Sequence, residues 1–302
     1  MGILVTGGAG FIGSNLAQRL QDVVVVDNLS EGHHDNVPLS ATFVQQDLRD
    51  ADALESLFKA HRFDTVYHLA AHFANQKSVE NPQMDLEVNG QVTLRLLQLA
   101  QKFGVRKFVY SSSSCIYGAV DSAMAESLIP RPETPYGITK LLGEYYVQYF
   151  HDYYGMDTTV VRYFNVYGPG EYPGTYRNVV PKFFHASMHG QPLVITGTGE
   201  ETRDFTYVDD AVDATLWVSE KTNGQVFNIG NGQSTSIKTL AEHINAVTHN
   251  PAAVQFTSRR DWDHISHRKA DVTRLNASGF KSRIPLHEGL QKTHVWLRKV
   301  MT

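Results

Sequence analysis

Tyr136 and Lys140 stand four residues apart at the start of a helical pattern that follows Pro135. On a helix, residues i and i+4 share a face, so the phenol and the ammonium can act as one unit. A tyrosine titrates at about 10, and its phenol takes a proton near neutrality only where neighbouring positive charge stabilises the phenolate. Lys140 supplies one such charge. Tyr145, Tyr146 and Tyr149 further along the same pattern read as packing residues. A third element of this chemistry lies in Tyr110-Ser111-Ser112-Ser113-Ser114-Cys115-Ile116-Tyr117-Gly118, which begins where an apolar run ends. A hydroxyl there can hydrogen-bond the substrate oxygen that Tyr136 deprotonates. The same serines can also simply bond to their own backbone. Four in succession leave open which one would act.

Upstream, Gly7-Gly8-Ala9-Gly10-Phe11-Ile12-Gly13 follows the first apolar run and opens a helix. Glycines there allow a tight turn and close approach of a pyrophosphate, which the free N–H groups of the helix start would face. Val23-Val24-Val25-Val26 then ends on Asp27, 20 residues after Gly7. A carboxylate at that strand end can bind both hydroxyls of an adenosine ribose. It would repel the extra phosphate of NADP, and no arginine follows immediately, so NAD is the expected cofactor.

These side chains need a scaffold that presents strand ends to one cleft. Short apolar runs at Ile3–Val5, Val23–Val26, Thr42–Val44, Thr65–Tyr67, Lys107–Tyr110 and Thr158–Arg162 alternate with helical stretches. Valine-rich strands without polar alternation belong in a parallel sheet covered on both faces. The expected fold class is therefore α/β: a Rossmann-like, doubly wound parallel sheet with a smaller, interleaved C-terminal lobe. Residues 1–165 would form the NAD-binding domain, with returning segments near 204–230, and 166–302 mainly the substrate lobe. Residues 225–229 read as a returning strand and 207–219 as its helix. Asp209-Asp210 is expected to cap that helix. The patterns at 83–103 and 136–154 read as further helices with apolar residues on more than one face.

Composition narrows the partner. The chain has 302 residues, 42% of them hydrophobic, and a formal net charge of −4 with no basic stripe, so neither nucleic acid nor an anionic membrane is an expected partner. No run approaches the roughly 20 apolar residues of a bilayer span. Cys115 is the single cysteine, which suits a reducing compartment; the expectation is a cytoplasmic enzyme acting on a small molecule. His33-His34 and His264-x-x-His267 lack completing ligands, and no metal is expected.

Thr6-Gly-Gly-Ala-Gly-Phe-Ile-Gly-Ser14, the serine-rich strand end with Tyr117-Gly118, Tyr136-x-x-x-Lys140 and Arg162-Tyr-Phe-Asn165 together resemble the extended short-chain dehydrogenase/reductases, specifically the nucleotide-sugar epimerase/dehydratase family. The resemblance runs through nearly the whole chain. It implies that Ser113, four residues before Tyr117, is the catalytic hydroxyl, Tyr136 the base, and Lys140 its electrostatic partner and ribose ligand. For the cofactor it implies contacts from Gly7, Gly10, Phe11, Ile12 and Gly13 at the pyrophosphate. Asp27 and Asn28 would serve the ribose, and Asp47 and Leu48 the adenine. Leu69, Ala70, Ala71, Asn89, Ser111 and Tyr163 would complete the cofactor's surroundings.

For the substrate the resemblance implies Asn165, Asn178, Val179, Arg203, Arg260 and Asp263 around a nucleoside diphosphate. Arginine's planar fork matches phosphate oxygens with paired donors. Dehydratases of the family follow the catalytic hydroxyl with an acid pair, and decarboxylases usually carry a glutamate in this loop; Ser114 and Cys115 stand here instead. The implied activity is thus NAD-dependent 4-epimerisation of a UDP-sugar through a transient 4-keto intermediate, with UDP-glucose/UDP-galactose the leading pair. The alternatives are a keto-reductase, a decarboxylase or a uronate epimerase, and, in a different class, a non-catalytic NAD-binding sensor. Family members commonly dimerise through the helices at 83–103 and 136–154, which implies a homodimer. Phe73 and Asn75-Gln76 replace the usual substrate-loop pattern, and His267 stands where relatives tune acceptance of an N-acetyl group. Arg268 beside it reads first as a solvated charge, with pairing to a uronate carboxylate the alternative.

Overall fold

The computed structural model describes residues 2–261 and 263–301. A seven-stranded sheet runs in the order Gln225–Ile229, Asp157–Tyr163, Lys107–Ser113, Phe63–His68, Gly2–Thr6, Val23–Asp27, Thr42–Gln45, and every neighbouring pair is parallel. The order reverses between the strands starting at Gly2 and Phe63. In open α/β sheets the ligand crevice forms at such a switch point, beyond the strand C-termini.

The valine run shows why both faces are apolar. Val23 and Val25 enter one core together with Val5, Tyr67, Val109 and Val161, while Val24 and Val26 enter the other with Leu4, Val66, Phe108 and Val160. A strand alternates its side chains between faces, so an uninterrupted apolar run is what two covered faces require. Burying each such valine contributes roughly 1.5–3 kcal/mol before entropy is subtracted.

After Tyr163 the chain builds short elements: Val194–Thr196 pairs with Gln255–Thr257, and Thr202–Arg203 lies between Thr235–Ser236 and His267–Arg268. Between these pieces the chain returns to the large sheet. The helix Val208–Lys221 packs on it, and Gln225–Ile229 forms its outer strand beside Asp157–Tyr163.

Two details differ from the sequence reading. The expected helix over 83–103 is three pieces, an α-turn at Pro82–Asp85, a π-helical stretch at Leu86–Gln91 and an α-helix at Val92–Lys102. Such π segments cluster at functional sites, and this one carries Asn89. Asp209-Asp210 does not cap its helix, whose N-cap is Tyr207 without a side-chain bond. Asp210 instead accepts from the backbone N–H groups of Arg283 and Ile284 at 2.9 and 2.8 Å, tying down the segment before the last helix, and Asp209 pairs with Arg19.

Candidate active site

A cleft of about 1000 Å³ opens at the switch point, at the upper end of the range for small-molecule sites. Its floor is the glycine turn. A Cβ at Gly13 would lie 2.2 Å from the Gly7 carbonyl oxygen, and one at Gly7, where φ is +70°, would lie 2.6 Å from the Ala70 nitrogen. Only glycine fits either position, so the backbone of residues 7–13 and of Leu69–Ala71 forms a bare surface that an extended diphosphate can approach closely. The Asp27 carboxylate accepts from Ala9 N–H at 3.1 Å and Leu29 N–H at 2.8 Å. Burial raises its pKa against the pull of those backbone bonds. Each oxygen keeps a lone pair for a ribose hydroxyl. At the far end of the strand row, Arg49 holds Asp47 down to about 2, and Asn28 donates to Asp47 at 3.1 Å. These side chains fit a dinucleotide.

The catalytic side chains meet because a helix comes unusually close to the sheet. The helix Pro135–Tyr154 starts with proline at its first turn, and Thr134 caps it by accepting from Gly137 N–H. A Cβ at Gly137 would lie 2.7 Å from the Cys115 carbonyl, and one at Gly143 would lie 2.1 Å from the Tyr110 hydroxyl oxygen. Both glycines let the helix settle against the serine strand and its following turn. Lys140 then donates to the Ser111 carbonyl at 2.7 Å, and its ammonium lies 5.8 Å from the Tyr136 ring centre. Burial lowers Lys140 to about 8. Burial likewise pushes the Tyr136 phenol far above its ordinary value, while a hydrogen bond with the Ser113 hydroxyl pulls the other way. Ser113 also accepts from Cys115 N–H at 3.2 Å, which fixes its rotamer.

Behind these groups lie two buried polar networks. Glu144 accepts both arms of Arg162, at 2.9 and 2.7 Å, and also the Ser112 hydroxyl. Arg162 continues to the Tyr117 hydroxyl at 2.8 Å, and Tyr117 donates to Asn228 at 2.7 Å. One chain of bonds thus clamps the serine strand, the catalytic helix and the returning strand together. In the second network Asp85 accepts from Thr139 at 2.5 Å and from Asn89 at 3.1 Å, and lies 3.3 Å from His72. Asn89 was expected against the cofactor. It lies behind the wall instead, accepting from His72 N–H at 2.8 Å and donating to the His72 carbonyl at 3.2 Å, so it positions the loop before Phe73.

The other sequence-assigned residues all border the cleft, Asn165, Asn178, Val179, Arg203, Arg260 and Asp263 on its C-terminal side. Tyr163 borders it with its hydroxyl turned to Thr215 at 2.8 Å. Asn165 keeps a buried side-chain carbonyl oxygen without a partner among the described residues. Arg203 is largely committed to the protein: it donates to the carbonyls of Thr202, Ser266 and Ile265. Sequence reasoning missed Glu171, which accepts from Asn178 at 3.2 Å, has no partner for its other oxygen among the described residues, and is pushed up to about 7 by burial. It gave no local signal. Arg268 corrects the expectation of a solvated charge, because it is 7% exposed and lines the cleft.

Parallel sheet, glycine turn, strand-end carboxylate and the Ser-Tyr-Lys cluster define a dinucleotide-dependent enzyme of the short-chain dehydrogenase/reductase type. More narrowly, the chain belongs to the NAD dependent epimerase/dehydratase family, whose model matches residues 3–230. NAD is the cofactor of that family. The solved UDP-glucose 4-epimerase of Thermotoga maritima, bound to UDP-glucose, is 38% identical over the full length of both chains, with a TM-score of 0.97. An epimerase of Methanothermobacter thermautotrophicus is 43% identical, covering 99% of this chain and 92% of that one, with a TM-score of 0.95. A UDP-N-acetyl-alpha-D-glucosaminuronate decarboxylase of Bacillus cytotoxicus is 33% identical over 98% of each chain. Overall likeness therefore establishes a nucleotide-sugar enzyme of this family without selecting among its reactions.

Proposed function

We propose that this chain inverts carbon 4 of a UDP-linked sugar, for which UDP-glucose and UDP-galactose are the reference pair, and that it does so in the cytoplasm as a homodimer. The observation that carries the reading is the pairing of Ser113 with Tyr136 beside Lys140, in a loop where Ser114 and Cys115 stand in place of a carboxylic acid and base. NAD bound in this cleft supplies an acceptor and later a donor of hydride for the sugar carbon. Tyr136 removes the proton of the C4 hydroxyl and returns it after the 4-keto sugar has turned over. Ser113 holds the oxygen throughout. Lys140, anchored to the Ser111 carbonyl, keeps positive charge beside the phenolate in a site where burial otherwise disfavours it. The cycle ends with no net oxidation, so the cofactor need not exchange.

Incubation of the purified protein with UDP-glucose or UDP-galactose, with no NAD added and the anomeric protons followed by NMR, tests the reading. Interconversion from both directions is expected, reduced about 10²–10⁴-fold in Tyr136→Phe with bound NAD retained. Net change in NADH absorbance, or release of CO2 when UDP-glucuronate is offered instead, would replace it with a reductase or a decarboxylase.

A further inference from the structure

Arg268 is an anomaly of charge. Its side chain is buried, and among the described residues its Nε finds no acceptor. Its side-chain hydrogen bond among the described residues reaches the Cys115 sulfur at 3.6 Å, and a thiol is a weak acceptor. Among the described residues no carboxylate forms an ion pair with it, whereas the comparably buried Arg162 has both arms on Glu144. A guanidinium taken out of water without a counter-charge is costly, and proteins tolerate one where a ligand supplies the missing anion.

The position of Arg268 restricts which anion that is. It contacts Cys115, whose backbone N–H bonds Ser113 and whose sulfur also receives Asn75 at 3.5 Å, and its charge acts on Tyr136. It therefore stands at the end of the cleft where the sugar reacts. Its strand neighbour Arg203 has its donors on backbone carbonyls and lies 3.9 Å from Asp263, so Arg268 is the arginine of this strand pair with an uncommitted donor. We propose that Arg268 reads a carboxylate carried by the sugar itself, making the preferred substrate an anionic nucleotide sugar such as a UDP-hexuronate rather than a neutral UDP-hexose. This rests on the nucleotide-sugar reading above and narrows it. A carboxylate offers two parallel acceptors to the guanidinium fork, a match that the hydroxymethyl group of a neutral hexose cannot make.

Binding measured apart from turnover separates the two readings. Isothermal titration of the NAD-bound protein would compare UDP-glucuronate, UDP-N-acetylmuramate, UDP-glucose, UDP-N-acetylglucosamine and UDP. The first two carry their carboxylates at different places on the sugar. At least one is expected to bind about tenfold or more tightly than its neutral counterpart, and the stronger of the two locates the carboxylate. In Arg268→Gln that preference should fall to near unity while the affinity for UDP stays unchanged, and Arg268→Lys should keep part of it. Equal binding of anionic and neutral sugars by the native protein overturns the proposal whatever the variants do. So does a preference that survives in Arg268→Gln, or a loss of affinity shared equally by UDP, which would assign the arginine to the diphosphate. Failure of every bound sugar to epimerise, with the anionic preference intact, would instead count against the reaction proposed above.

Discussion

Tyr136 and Lys140 were legible as a pair because their spacing is local, whereas the charge state of a buried side chain depends on what the fold brings around it. Glu171 shows the difference. In sequence it is one acid among turn residues; in the structure burial raises it to about 7 from the ordinary 4.5. Between those values the folded chain holds a proton that the unfolded chain has released. Glu171 therefore contributes stability that is fully present below about pH 4.5 and lost as pH rises through about 7, a contribution on the order of 3 kcal/mol. Thermal melts of the protein from pH 5 to pH 8 are expected to show a decline that Glu171→Gln flattens, the variant being the more stable at pH 8. A wild-type melting temperature that rises across this window, or one unaffected by the substitution, would remove the carboxyl from the account. Arg268 and Asn89 belong to the same class of misreading. The residue type suggested an exposed charge in one case and the family resemblance implied a cofactor contact in the other, and only tertiary packing reversed them.

At the scale of elements the sheet strands were readable from their apolar runs, because a parallel strand covered on both faces leaves no other pattern. The returning strand at 225–229 was visible for the same reason. Where the reading failed, hydrogen bonding departed from a simple period. An α–π–α passage over 82–102 keeps nearly the same apolar spacing as one continuous helix, and an acidic pair in a first turn looks the same whether or not it caps. The close approach of Pro135–Tyr154 to the serine strand was also hidden, since a glycine in a helix says nothing of its neighbour. Gly143 makes this testable. Its added methyl in Gly143→Ala would collide with the hydroxyl and ring of the fully buried Tyr110, which is expected to push the helix off the strand. Overpacking of this kind costs about 1–3 kcal/mol. Urea unfolding should register that loss, and kcat should fall together with it because Tyr136 travels on the displaced helix away from Ser113. Unchanged stability would mean that the contact yields more easily than the geometry indicates.

The same helix carries the argument at the scale of the whole molecule. Its inner face buries Tyr136, Lys140, Gly143, Val147 and Phe150, the i, i+4, i+7 spacing of a packed helix side. Its outer face exposes Ile138, Tyr145, Tyr149 and Tyr153, with Tyr145 64% and Tyr153 70% exposed and the rings of Tyr149 and Tyr153 stacked 5.5 Å apart. A contiguous aromatic stripe of this kind is uncommon on a monomer and suits a self-complementary contact between two copies. Light scattering of the purified protein is expected to give twice the chain mass, and Tyr149→Glu with Tyr153→Glu to give a monomer that still holds NAD, because neither side chain borders the cleft. Separation should also lower the melting temperature, since each catalytic helix would then face water along its outer side. A native protein that runs as a monomer at every concentration would leave the stripe without a partner. A dimer untouched by the double substitution would move the interface elsewhere. Dissociation with normal stability would show that the stripe joins the subunits without supporting the helix that presents Tyr136.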